Sequence, residues 1–143
     1  MTMLKNAGPY WVLYEGTPGG RLDQKDGFFV LSNGLRASLG EQWAGNFPGP
    51  RWAYFGGANL SSILFLANHQ PDAQPDQYWP MNNEMTVFGF GRGFTCCRQY
   101  FNTSPARFTI GLLPATDTDT ARKRIESLTR EMTVRQSRVE TRP

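Results

Sequence analysis

The chain has 143 residues, of which 39% are hydrophobic and 13% aromatic, with 15 glycines and 10 prolines. That suits one domain with a real core, holds too little Gly and Pro for a disordered low-complexity chain, and too much for a helical bundle. The net charge of +3 belongs to the last 23 residues, which carry seven basic and three acidic groups; the first 120 carry eight basic and nine acidic, so the body has no basic field for a nucleic-acid backbone.

Tyr10 to Glu15 (Tyr-Trp-Val-Leu-Tyr-Glu) reads as a strand buried on both faces, followed by a turn at Thr17-Pro-Gly-Gly. Phe28 to Ser32 is a second strand. Asn33-Gly34 is the strongest hairpin signal in the chain, and Leu35 to Leu39 returns beside that strand. Residues 40 to 50 form a loop holding Trp43. Trp52 to Phe55 begins a fourth strand, closed by Gly56-Gly57, and Ser62 to Ala67 is a fifth. Asn68 to Asn83 is long and polar. Its prolines Pro71, Pro75 and Pro80 argue against a central strand or a stable helix, which leaves a functional loop. Glu84 to Arg92 reads Glu-Met-Thr-Val-Phe-Gly-Phe-Gly-Arg. Met85 to Phe90 suits a strand, its glycines suit a bulge or a close approach, and Arg92 sits at its end. Phe94 to Tyr100 and Arg107 to Leu113 complete the set.

About eight short strands with turn signals between them predict an all-β antiparallel sandwich or distorted barrel. Nothing alternates at helical period, which argues against a parallel α/β sheet. The expected division is a β-sandwich domain over residues 1–115 and a C-terminal helix with a basic tail over 116–143. Thr116-Asp-Thr-Asp-Thr supplies cap candidates and negative charge at a helix start. Ile125, Leu128, Met132 and Val139 recur at helical steps, predicting an amphipathic helix of three to five turns with a thin apolar stripe. The stripe either covers its own sheet or pairs with a partner chain, making a homo-oligomer. The tail's mixed charges, with Glu126 and Arg130 four apart, suit a solvated helix rather than a nucleic-acid grip.

Cys96 and Cys97 are adjacent, which suits neither a disulfide framework nor a metal knuckle; two ordinary strand thiols are expected. No window is long enough to span a membrane as a helix, so no membrane partner is expected. An extracellular or periplasmic setting is the expectation, although Met1-Thr-Met-Leu-Lys holds no signal-peptide h-region.

The segments Tyr10-Trp-Val-Leu-Tyr-Glu-Gly-Thr-Pro-Gly-Gly, Trp52-Ala-Tyr-Phe, His69-Gln-Pro-Asp-Ala-Gln-Pro-Asp-Gln-Tyr-Trp and Met85-Thr-Val-Phe-Gly-Phe-Gly-Arg span roughly residues 8 to 113. Together they resemble the β-sandwich domains, galactose-mutarotase-like or concanavalin-like, of bacterial carbohydrate-active proteins. The resemblance implies a carbohydrate-binding module, within a polysaccharide-degrading system, whose partner is a glycan or another small polar ligand. It assigns no catalytic residue.

The residues supply candidates of their own. His69 can act as base or acid near neutral pH, Tyr78 can donate a proton, and Arg92 can neutralise an acidic sugar. Those are the three jobs of a polysaccharide lyase, the enzymatic alternative to a binding module; the plainer alternative is a surface loop held by His69 hydrogen bonds. A glycosidase would need two facing carboxyl groups, and no spacing among Glu15, Glu41, Asp72, Asp76 and Glu84 singles out a pair. Asp72 with Asp76, or Asp117 with Asp119, could contribute to a Ca²⁺ site, but neither pair has an EF-hand ladder, and no cofactor is expected. Trp43 and Trp79, read as loop residues, are candidates to stack on sugar rings, with Asp72 and Asp76 taking hydroxyls; Trp11 and Trp52 read as core. Gly89-Phe-Gly-Arg-Gly looks like half a phosphate loop, but a strand follows it, so dinucleotide binding is not expected. No serine has the context of a nucleophile elbow. The third reading is an interaction protein that oligomerises through its C-terminal helix.

Overall fold

Short runs of aromatic and β-branched residues, broken by Gly, Pro and Asn, fold into strands because such side chains pack well on a pleated surface. A computed structural model describes residues 2–3, 10–17, 20–46, 51–70, 72–91, 101 and 106–140. Its elements in chain order are β1 (Thr2–Met3), β2 (Val12–Gly16), β3 (Gly27–Leu31), β4 (Arg36–Ser38), β5 (Trp43–Gly45), β6 (Arg51–Gly57), β7 (Ser62–Asn68), β8 (Asp76–Met81), β9 (Met85–Phe90), β10 (Ala106–Pro114) and α1 (Thr118–Glu140). The strands form two antiparallel sheets, in the orders β1-β10-β7-β6-β3-β4 and β2-β9-β8-β5, not closed into a barrel. The sandwich expectation is correct.

Strand alternation sorts the side chains into layers. Phe29, Leu31, Ala53, Phe55, Leu66 and Phe108 of the larger sheet meet Tyr78, Phe88 and Phe90 of the smaller one. Rings pack offset or edge to face, with Phe29 and Tyr78 at 4.5 Å and Phe88 and Phe90 at 5.0 Å between centroids. The larger sheet is also covered on its other face. Val30, Trp52, Tyr54, Ile63, Phe65 and Ala67 pack under Ala121 and Ile125 of α1, with Leu128 alongside. This explains the unbroken buried run along β6, which has a hydrophobic layer on each side. The first turns of the apolar stripe therefore cover the chain's own sheet. The Tyr54 hydroxyl donates to Thr118 Oγ1 at 3.1 Å, pinning the helix start. Asp117 caps it by accepting the Thr120 N–H at 2.9 Å, and that bond holds the Asp117 carboxyl down to about 2.

The Asn33-Gly34 hairpin forms as predicted. Gly34 takes φ 89°, which glycine adopts without a Cβ penalty, and its N–H donates to Leu31 O at 2.9 Å.

Other expectations need correction. The supposed loop 68–83 contains β8, flanked by β9 and β5. Pro80 is tolerated because β5 pairs with Asp76–Tyr78, so past Tyr78, among the described residues, the strand has a partner on one side only. Trp43 and Trp79, read as loop residues, are on β5 and β8. The first predicted strand is not buried on both faces; β2 is an edge strand with Glu15 exposed. The helix has 23 residues, roughly six turns at 3.6 residues each, longer than expected. Arg130 Nε donates to the Glu126 carbonyl at 3.3 Å. Arg92, Cys96, Cys97 and the strand predicted over 94–100 lie outside the described residues. Among the described residues no helix is long and apolar enough to cross a membrane.

Candidate functional site

The strongest concentration of polar chemistry sits at one corner between the sheets. Arg51 opens β6 on the same side as Ala53 and Phe55, so its guanidinium enters the interior. Asn68 lies opposite it across the β6–β7 ladder, and Asp76 opens β8 on the facing sheet. The connection between β7 and β8 folds over them and delivers Asp72. Arg51 Nη1 donates to Gln74 O at 2.6 Å and to Asn46 Oδ1 at 3.3 Å. Its Nη2 donates to Asp72 Oδ2, which also accepts from Asn68 Nδ2 at 2.9 Å. Arg51 Nε lies 3.2 Å from Asp76 Oδ2, close enough for an ion pair but not aligned as a hydrogen bond. The other Asp76 oxygen accepts the Gly91 N–H at 3.1 Å.

The corner is closed. Side-chain exposure is 0% for Arg51, 1% for Asp76 and 6% for Asp72. Burial pushes Asp76 up to about 7, against the pull of Arg51 and the Gly91 N–H. A cation enclosed by its own carboxylates has no valence left for an incoming anion. Its chemistry is that of a bracket joining β6 to β8 and β9. Removing one member would strand the others, which is the costly direction for a buried pair.

The structure brings together only part of the predicted site. Asp72 and Asp76 converge, both on the Arg51 guanidinium; among the described residues no three His, Cys, Asp or Glu side chains gather as metal ligands. Of the other aspartate pair, Asp117 caps α1 and Asp119 lies 3.5 Å from Arg122. His69 lies past the end of β7 on the helix side of the larger sheet. Its backbone N–H donates to Arg107 O at 3.1 Å, and its ring Nε2 is 2.8 Å from Thr109 Oγ1. Burial lowers its pKa. Tyr78 is between the two sheets, fully buried, and donates its hydroxyl to Leu39 O at 2.7 Å; burial pushes that phenol up to about 12. The larger sheet thus separates His69 from Tyr78. Trp43 packs partly against the inner core, whereas Trp79, adjacent to inward Tyr78, is on the opposite face of the smaller sheet. The two indoles do not share a hollow. Trp11 is half-buried, and Trp52 lies under α1 as the core reading requires.

Arg51 and Asn68 were absent from the sequence-based candidates. A signal existed for Arg51: it stands in step with Ala53 and Phe55 on an apolar strand, where an inward charge calls for a partner.

A second feature is at the surface. On β10, Ile110 and Leu112 are 59% and 68% exposed, although they alternate in step with buried Phe108. They lie opposite Leu66 and Leu64 on the inner face, where the smaller sheet does not cover them. Among the described residues, the strand on its other side is β1, which pairs with Ala106 and Arg107.

No family model matches the chain, and no significant match appears among curated proteins or solved structures.

Proposed function

We propose that the chain is a non-catalytic interaction module that binds protein through strand β10. The observation that carries this reading is the pair Ile110 and Leu112, exposed side by side on a strand that, among the described residues, pairs on its outer side only at Ala106 and Arg107. Adjacent exposed apolar groups mark interaction surfaces, and an edge strand offers a ready row of backbone donors and acceptors. A partner adding one extended strand would satisfy that row and cover both side chains. Amide hydrogen exchange tests it with a synthetic peptide of alternating valine and threonine. The Ile110 and Leu112 amides exchange quickly in dilute protein and slow when the peptide is added. Unchanged exchange at every concentration of peptide and protein would end the reading.

Carbohydrate recognition is the second reading, and one observation favours it. Glu15, Val87 and Trp79 lie in one row across the outer face of the smaller sheet. An indole and a carboxylate two strands apart, about 10 Å across the sheet, can take a sugar's C–H face and its hydroxyls on either side of the buried Val87. Loss of glycan-array retention in Trp79→Ala, with the fold intact, is its expected outcome; retention unchanged by that substitution would dismiss it. The lyase trio is not carried forward, because His69 and Tyr78 are on opposite sides of a sheet.

A further inference from the structure

We infer that the partner strand at β10 is β10 of a second copy of this chain, paired antiparallel about a two-fold axis at Gly111. The inference rests on the β10 reading above and adds the identity of the occupant. Its first support is the direction of the backbone groups. The Arg107 carbonyl accepts from His69, and the Ala115 N–H donates to Ser61, so both turn toward the β7 side. Successive residues in a strand turn opposite ways, so odd-numbered residues of β10 face β7 and the even-numbered Ile110 and Leu112 face outward. A two-fold axis at Gly111 sets Ile110 of one copy opposite Leu112 of the other, and each such pair exchanges both of its hydrogen bonds.

The second support is the side chains. In that register the two most exposed apolar residues of β10 cover their counterparts, on the same face of one continuous sheet. Gly111 meets its own copy in a non-hydrogen-bonded pair, where Cα atoms approach to about 4.5 Å and the absence of a side chain favours contact. The third support is charge. From Phe108 to Pro114 the strand carries no ionisable side chain, so two identical copies meet without repulsion. In that register Ala115 and Thr116 of the second copy reach Arg107 and Ala106, so the two-residue β1 gives up those positions when the copies pair. The contact is isologous: once paired, both edges are used, and the assembly closes as a dimer instead of growing into a fibre.

The contact is small, so association should appear as concentration rises. Light scattering on the full chain between about 1 μM and 1 mM should show the mass rising toward twice that of one copy. Over the same range, exchange of the Ile110 and Leu112 amides should slow by about tenfold or more. The variant Ile110→Lys/Leu112→Lys should stay single, and so should Ile110→Glu/Leu112→Glu. Mixing the two should restore the doubled mass, because each lysine then faces a glutamate. Two results would overturn the proposal: a single mass throughout, or a doubled mass that survives in the lysine variant, which would place the contact elsewhere, α1 included. A chain that stays single while an added peptide protects Ile110 and Leu112 would remove the second copy and leave the β10 reading standing. Should the lysine variant misfold, the exchange measurement on the unaltered chain still decides.

Discussion

Two corners of the same sheet face have their chemistry inverted. At the Arg51 corner, a guanidinium and two carboxylates are enclosed between the sheets. Along β10, Ile110 and Leu112 face out into solvent. Both sites follow the strict alternation of their strands, so residue type does not decide which is covered. The extent of the smaller sheet does. Its strands reach over β6 but leave the last part of β10 bare. One corner must therefore neutralise charge internally, and the other carries hydrocarbon surface that a partner would cover.

The sharpest way to break this contrast is Arg51→Leu, which leaves Asp72 and Asp76 without their cation. The expected loss is about 3–5 kcal/mol in denaturant unfolding. If the corner is an internal bracket, Arg51→Met/Asp76→Leu should lose less than the single change, because no lone charge is left at that position. Equal or greater loss in the double variant would mean the ion pair itself supplies the stability.

Asp76 gives the next effect, through pH. Its folded pKa, about 7, lies above the ordinary value of 3.8, so between these values the folded chain holds a proton that the unfolded chain has released. Stability therefore falls as pH rises through that window, by up to about 1.4 kcal/mol per pH unit, and levels off above it. Asp76→Asn, which keeps the shape and cannot ionise, should flatten that slope. A slope unchanged by the substitution would assign it to another group.

Tyr78→Phe removes one buried hydroxyl and leaves the Leu39 carbonyl without its donor, for an expected loss of about 1 kcal/mol by thermal melting. Ile110→Lys should be the smallest change in stability, within about 0.5 kcal/mol by the same measurement at low protein concentration. A larger loss there would mean that the side chain is packed after all and that the two corners differ less than their exposures suggest.

Most of the sheet architecture is legible in the sequence. Asn33-Gly34 carried its hairpin because the turn type demands those residues, and alternation marked most strands. β8 is hidden in the sequence because three prolines look like breakers, and only the shortness of β5 makes Pro80 harmless. Trp79 went with it, read as a loop residue for the same cause. The Arg51 corner was illegible for a different reason. Its partners lie between 5 and 25 positions along the chain, and no local pattern says which carboxylates a buried guanidinium will find. His69 and Tyr78 seemed neighbours in sequence, yet a whole sheet stands between them.

Pro80 has one more effect. Beyond Tyr78 it leaves the open flank of β8 short of a donor, so a foreign chain cannot zip along it, and at the far margin of the larger sheet Arg36, resting over Phe28 with 3.9 Å between guanidinium and ring centre, sets a charge in the way of any newcomer. With those two margins guarded against stacking, fewer edges of this protein are open to disordered pairing in crowded solutions.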